Sequence, residues 1–214
     1  LAVGRASLSG AAEHPHAAAR LRASFRTLDW IEQDDASAVT ARFVLRTDDR
    51  LPDGAWRIET QEDGPNLTIG VSGSPISGVI QGVESLVRGL PDAGQQLGST
   101  RRWEGAPVLP YRLLWTWDHS THWDVDTVGL QETGAFNPYM KQADEFIRDY
   151  QRMIDFMSRH GIGGVVIYGL LRDSHGGVEA ANAICRYARE RGVRVLAGIA
   201  IDAYGGIYYE GAHP

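Results

Sequence analysis

The sequence predicts an α/β chain in two parts: a small α+β layer, then the first three strands of a TIM-type (β/α)8 barrel. Three observations lead there. Residues 39–71 hold three short apolar-patterned segments separated by turn signals, and one amphipathic helix follows them. Residues 112–201 then alternate strand, helix, strand, helix, strand, which implies a parallel sheet with right-handed crossovers. Each of those three strands ends in polar and aromatic residues, and in parallel α/β folds the C-terminal strand ends are where ligands sit. The expected domains are 1–105 and 106–214.

The elements follow in order. Ala17, Leu21 and Phe25 fall on one face of a helix within His14 to Phe25. Val39 to Arg46 alternates as a strand, with Val39, Ala41, Phe43 and Leu45 on one side. Ala55 to Thr60 carries Trp56 and Ile58, and Asn66 to Val71 carries Leu67, Ile69 and Val71. Asp53-Gly54 and Asp63-Gly64 mark the turns between them. Ser74-Pro75 is expected to open the next helix, Ser74 as N-cap and Pro75 at its first position. Its apolar stripe is Ile76, Val79, Ile80, Val83, Leu86, Val87 and Leu90. Pro91 to Pro110 is expected to be a linker.

In the second part, Arg112 to Trp117 is a strand. Ala143 to Arg159 is an amphipathic helix with Phe146, Tyr150, Met153, Ile154 and Met157 at helical spacing, closed by Gly161. Gly164 to Leu171 is a nearly continuous apolar strand, as expected where both sheet faces are covered. Gly177 to Arg191 is a helix using Val178, Ala181, Ile184, Cys185 and Ala188, and Val193 to Ile201 is a third apolar strand. A complete barrel has about eight such units, so the natural chain is expected to continue past Pro214. Residues 1–214 alone are expected to aggregate through an open sheet edge.

Composition narrows the function classes. Of 214 residues, 43% are hydrophobic and 22% charged, an ordinary balance for a globular protein. The net charge of -6 argues against a nucleic-acid partner, with Arg101-Arg102 the one local basic feature that stands out. No apolar run approaches the roughly 20 residues needed to span a bilayer, so no membrane partner is expected. Cys185 is the only cysteine, which excludes an internal disulfide, and its helical setting suggests a small buried side chain. Leu1 to Ala12 shows no signal-peptide apolar core, and the first residue is Leu rather than Met, so an upstream export signal stays open.

The candidate site residues cluster at strand ends. The first strand supplies Trp115, Trp117, Asp118 and His119, followed by His122 and Trp123. Indole faces pack on the flat C–H faces of sugars, while carboxylate, imidazole and guanidinium groups bond their hydroxyls. A structural loop, with Asp118 capping a turn, is the alternative. Arg112 at the strand start is either a buried ion-pair partner or a residue pointing into the barrel. The second strand end supplies Arg172, Asp173 and His175. Arg172 or His175 suits a substrate hydroxyl or carboxylate, whereas Asp173 or Ser174 could simply cap the next helix. The third supplies Asp202 and Tyr204, with Tyr208, Tyr209, Glu210 and His213 beyond. Asp118, His119, His122, Asp124, Asp126 and His175 have metal-ligand chemistry, but no second ligand spacing supports a metal, and no cofactor is expected.

At Tyr111-Arg-Leu-Leu-Trp-Thr-Trp-Asp118 the chain resembles the first barrel strand of the α-glucuronidases of glycoside hydrolase family 67, which carry Tyr-Arg-hydrophobic-Leu-Asn-His-Trp-Asp-Asn there. Arg112, Trp117 and Asp118 match; Trp115-Thr116 replace Asn-His, and His119 replaces the last Asn. The run from Tyr150 to Ile201 is similar to the same family, and the first 90 or so residues resemble the small α+β domain that precedes the barrel in α-glucuronidases and β-N-acetylhexosaminidases. Gly78-Val-Ile-Gln-Gly-Val-Glu-Ser-Leu resembles its final helix. The resemblance implies a glycoside hydrolase acting on a carbohydrate, with catalytic carboxylates on later strands, beyond Pro214. A non-catalytic carbohydrate-binding protein of the same fold and a metal-dependent hydrolase are the alternatives.

Overall fold

The computed structural model describes residues 4–31, 39–93, 100–109, 111–117, 143–171 and 176–198. The chain divides into two compact units, Leu1–Pro110 and Tyr111–Pro214. Together they form a mixed α/β structure with four helices among the described residues.

Among its described residues the first unit is a six-stranded sheet with two helices. Its strands are β1 (Arg5–Ser9), β2 (Asp29–Ile31), β3 (Ala41–Thr47), β4 (Trp56–Asp63), β5 (Asn66–Gly73) and β6 (Arg101–Gly105). The spatial order is β2-β1-β3-β5-β4-β6. The strands β2, β1, β3 and β5 are parallel; β4 runs antiparallel to both β5 and β6. The helices are α1 (Pro15–Ser24) and α2 (Gly78–Ala93).

Alternation explains the layer. Ala41, Phe43 and Leu45 of β3 are buried, while Arg42 and Arg46 on the alternate side are exposed. Register carries the apolar row across the sheet: Leu8 pairs with Phe43, Phe43 with Ile69, and Val71 with Leu45 and Ile58. Leu21 of α1 and Val79, Ile80, Val83 and Leu86 of α2 join the same core. Phe25 and Trp30 meet Phe43 with ring centroids 5.1 and 5.3 Å away. Gly64, at φ 60°, lets a two-residue turn join Asp63 to its partner Asn66, a conformation L side chains rarely adopt.

Several expectations are corrected here. Ser74 does not cap α2: its Oγ accepts the Gly54 N–H at 2.8 Å, and the helix begins only at Gly78. Ile76 leaves the apolar stripe, with φ 73° and 57% exposure. The cause is crowding between β5 and α2. A Cβ on Gly73 would strike the backbone of Gly78 and Val79, and one on Gly78 would lie 2.5 Å from the Ala55 carbonyl oxygen. The chain needs residues 74–77 to make that corner before a helix can start. The expected linker contains the edge strand β6, which pairs with β4 from Trp56↔Gly105 to Thr60↔Arg101. The segment before Ala12 holds β1, which lies between β2 and β3. Within β6, Arg102 bonds Glu104 at 3.2 Å and lies 3.7 Å from Glu59. Hydrogen bonds from Arg102 and Arg57 hold the Glu104 carboxyl below its ordinary value.

The second unit has β7 (Leu113–Trp117), α3 (Ala143–His160), β8 (Gly164–Tyr168), α4 (Gly177–Glu190) and β9 (Arg194–Gly198). The three strands are parallel, in the order β7-β8-β9. Phe146, Tyr150, Met153, Ile154 and Met157 of α3 pack with Ile184 and Ala188 of α4 over Val165 and Ile167 of β8. Gly161 and Gly192, at φ 72° and 69°, supply the left-handed residues just past the two helices. Val178 is exposed rather than on the apolar stripe of α4. The buried face runs through Gly177, Ala180, Ala181, Ile184 and Ala188 instead, and at 3.6 residues per turn position 178 lies off it. The strand β8 stops at Tyr168, because Gly169 turns the chain at φ 76°.

A polar clamp joins α3 to α4. Asp155 accepts the Arg191 Nε–H at 2.7 Å and the Tyr187 hydroxyl at 3.0 Å, and the Arg191 guanidinium stacks over the Tyr187 ring. Burial, with the Asp155 charge adding to it, pushes the Tyr187 phenol above its ordinary value. A folded-state pKa above the unfolded one contributes stability that is present below about pH 10 and fades as pH rises through the folded value. Alkaline unfolding is therefore expected at lower pH in wild type than in Tyr187→Phe, relative to each protein's neutral stability. Parallel pH profiles for the two would refute this.

Candidate functional site

The strand register of the second unit sets out two faces. Leu114, Val165 and Val195 align, as do Thr116, Ile167 and Ala197. This is the helix-covered face: Val165 and Ile167 are fully buried, and Thr116 Oγ1 lies 2.9 Å from the Tyr150 hydroxyl of α3. The other face carries Leu113, Trp115, Val166, Tyr168 and Leu196, with Arg194 at the start of β9. Apart from Arg194 it is apolar, yet it is open, with Leu113, Trp115 and Leu196 exposed by 44%, 55% and 43%. Large apolar residues aligned on an open sheet face mark a surface made to contact something.

The C-terminal edge of that face is aromatic. Trp115 and Tyr168 meet nearly perpendicular, at 80°, with ring centroids 5.7 Å apart. They are diagonal neighbours on adjacent strands, close enough for large side chains to touch. Tyr168 was not singled out by the sequence. Its signal was its place as the last residue of an apolar strand, on the face shared with Trp115 through period-two alternation.

The other expected site residues divide as follows. Arg112 is half-buried just before β7, and its carbonyl accepts the N–H of Gly163 at 2.9 Å and of Gly164 at 3.3 Å. Five residues at a strand's rise put its backbone about 16 Å from that of Trp117, so the structure does not bring Arg112 to the C-terminal edge. Trp117 ends β7, and its side chain lies outside the described residues. Asp118, His119, Arg172, Asp173, His175, Asp202 and Tyr204 also lie outside them, as do His122, Asp124, Asp126 and Glu210. Among the described residues no group of three or more His, Cys, Asp or Glu side chains could hold a metal. Cys185 is half-buried, and burial pushes its thiol above the ordinary value, the opposite of nucleophile activation. No described helix is long and apolar enough to cross a membrane.

Solved structures match this arrangement. A GH138 enzyme targeting pectin rhamnogalacturonan II is similar over 90% of this chain and 24% of its own, at 12% identity and a TM-score of 0.59. A GH115 4-O-methyl-α-glucuronidase with specificity for decorated arabinogalactans is similar over 92% of this chain and 29% of its own, at 13% identity and a TM-score of 0.58. The chain shares its fold with part of each of these two glycoside hydrolases. A β-N-acetylhexosaminidase from Bacteroides fragilis NCTC 9343 also matches, at a TM-score of 0.49 and 15% identity, over 92% of this chain and 41% of its own. The chain thus spans about a quarter of the length of the first two, and at such identities the likeness is one of fold. No protein-family model and no curated protein matches the sequence.

Proposed function

We propose that this chain is part of a carbohydrate-active glycoside hydrolase of the α-glucuronidase-like group, and that the second unit is the opening of its (β/α)8 barrel. The observation that carries the proposal is the asymmetric sheet. In the second unit three parallel strands bear helices on one face and an open row of Leu113, Trp115, Val166 and Leu196 on the other. A barrel strand has this character, with helices outside and layered side chains inside. The fold likeness to the two glycoside hydrolases supports it. The first unit is then the small α+β domain that precedes the barrel.

In this reading the C-terminal edge of β7, β8 and β9 lines the substrate cleft. Trp115 offers an indole face to a sugar ring; Trp117, Asp118 and His119 continue the same wall. Arg172, Asp173, His175, Asp202 and Tyr204 follow the next two strands and supply hydroxyl or carboxylate contacts. The acid and base are carboxyl groups on later barrel strands. Widely spaced carboxyls with a water between them give inversion, whereas substrate assistance gives retention.

The test is hydrolysis of aryl α-glucuronides and aryl β-N-acetylhexosaminides by the full chain, with product stereochemistry followed by NMR. Turnover of the first with inversion is the expected result. Sugar binding with no turnover of either would replace the reading with a non-catalytic carbohydrate-binding protein; among the described residues the open sheet face carries no carboxylate. Trp115→Ala is expected to weaken saccharide binding about tenfold, the loss of roughly one stacked aromatic contact. Because Trp115 is half-exposed, its thermal midpoint should change little. Unchanged affinity in a folded variant would remove Trp115 from the cleft.

A further inference from the structure

Beyond Trp115, the geometry points to Tyr168 as a second stacking residue of the cleft, a platform for the apolar C–H face of a pyranose ring, with Gly198 as the gap that sets its orientation. This rests on the glycosidase reading of the open sheet face. Alternation puts Tyr168 on the same face as Trp115, and register aligns it with Trp117 and Gly198 in the last layer before the C-terminal edge. Its ring is fixed from two sides. The Trp115 indole meets it nearly perpendicular, at 5.7 Å. On β9, a Cβ built on Gly198 would lie 2.5 Å from Tyr168 Cδ2, 2.9 Å from Cε2 and 3.1 Å from Cγ. Only a residue without a side chain leaves the ring where it is.

Tyr168 differs from the core aromatics of this unit. Phe146 and Tyr150 are completely buried against the helix-covered face, whereas Tyr168 is half-buried on the open one. A rigid aromatic held in one orientation gives contact area at low entropic cost, since few torsions remain to be frozen on binding. Its nearer neighbours on that face, Trp115, Val166 and Leu196, are apolar, and Arg194 lies at the far end of the same face, so the part beside the ring suits the C–H face of a sugar. The matching ligand chemistry is a sugar ring presented flat.

The experiment compares Tyr168→Ala, Tyr168→Phe and Gly198→Ala with wild type in the full chain. The probes are methyl and 4-nitrophenyl glycosides of a hexose, a hexuronic acid and an N-acetylhexosamine. Binding is measured by saturation-transfer NMR, turnover by KM and kcat, and folding by thermal midpoint. Tyr168→Ala is expected to raise Kd or KM about tenfold with kcat and midpoint nearly unchanged. Tyr168→Phe should bind as wild type does, because the ring face is kept. Gly198→Ala should behave like Tyr168→Ala, because it displaces the ring. A folded Tyr168→Ala that binds or turns over as wild type overturns the inference while leaving the glycosidase reading intact. Equal losses in Tyr168→Phe and Tyr168→Ala overturn the stacking role too. If Tyr168→Ala does not fold, Gly198→Ala decides: weakened binding supports the platform and unchanged binding overturns it. A wild-type chain that neither binds nor cleaves any probe overturns both this inference and the proposed function.

Discussion

Replacing Arg20 by Met is expected to destabilise the first unit by about 3–5 kcal/mol, because it strands a buried carboxylate. Glu84 of α2 is buried, and Arg20 of α1 grips it with two bonds, Nε to Oε1 at 2.7 Å and Nη2 to Oε2 at 3.2 Å. Arg20 Nη1 also donates to Ser24 Oγ at 3.1 Å, so the guanidinium is oriented from its own helix. Bidentate geometry makes this a strong pair, yet the net gain over an apolar pair is small, since both ions lose water. The asymmetry is testable. Arg20→Met alone should cost most, whereas Arg20→Met with Glu84→Leu should recover most of the loss. Native-state hydrogen exchange of the α1 and α2 amides reads this unit separately from the other. Equal exchange rates in wild type and Arg20→Met would show that the pair does not clasp the helices.

The second large effect is expected at Tyr150, where Tyr150→Ala should cost the second unit about 3–5 kcal/mol. The side chain is fully buried, touches Phe146 with centroids 4.9 Å apart, and places its hydroxyl 2.9 Å from Thr116 Oγ1 of β7. It therefore ties α3 to the first strand of the sheet as well as filling the core. Tyr150→Phe keeps the volume and removes the hydroxyl, at a cost of about 1 kcal/mol, typical of one hydrogen bond. Exchange of α3 and β8 amides, or a denaturant midpoint for this unit, separates the two variants. Similar losses for Phe and Ala would mean that the hydroxyl, not the packed ring, carries the effect.

The elements that proved legible in the sequence are those with strong local periodicity. Phe146, Tyr150, Met153, Ile154 and Met157 declare α3 by spacing alone, and all five are buried in the structure. Ala41, Phe43 and Leu45 declare β3 in the same way. Missed elements lacked such a pattern. β1 is five residues of Arg, Ala, Ser and Leu, whose burial comes from the strands on either side rather than from its own character. β2 has three residues, too few to show a period. β6 is mostly polar because it is an edge strand, where charge discourages pairing with another chain. Its membership is decided by pairing with β4, more than forty positions away in sequence.

The candidate site divides along the same line. By itself the sequence determined the alternation of strand and helix from Leu113 onward, the parallel direction it implies, and the clustering of aromatic and polar residues at strand ends. These are matters of period and order, and both can be read along the chain. Only the tertiary structure decided that Tyr168 stands beside Trp115 and that Gly198 leaves room for its ring. The helix start at Gly78 was likewise settled by contact, since the backbones of Gly73, Ala55 and Gly78 crowd one another there. Such facts depend on which distant residues share a register position and how closely their backbones approach. Periodicity fixes the face a side chain takes, while packing between elements fixes what it meets.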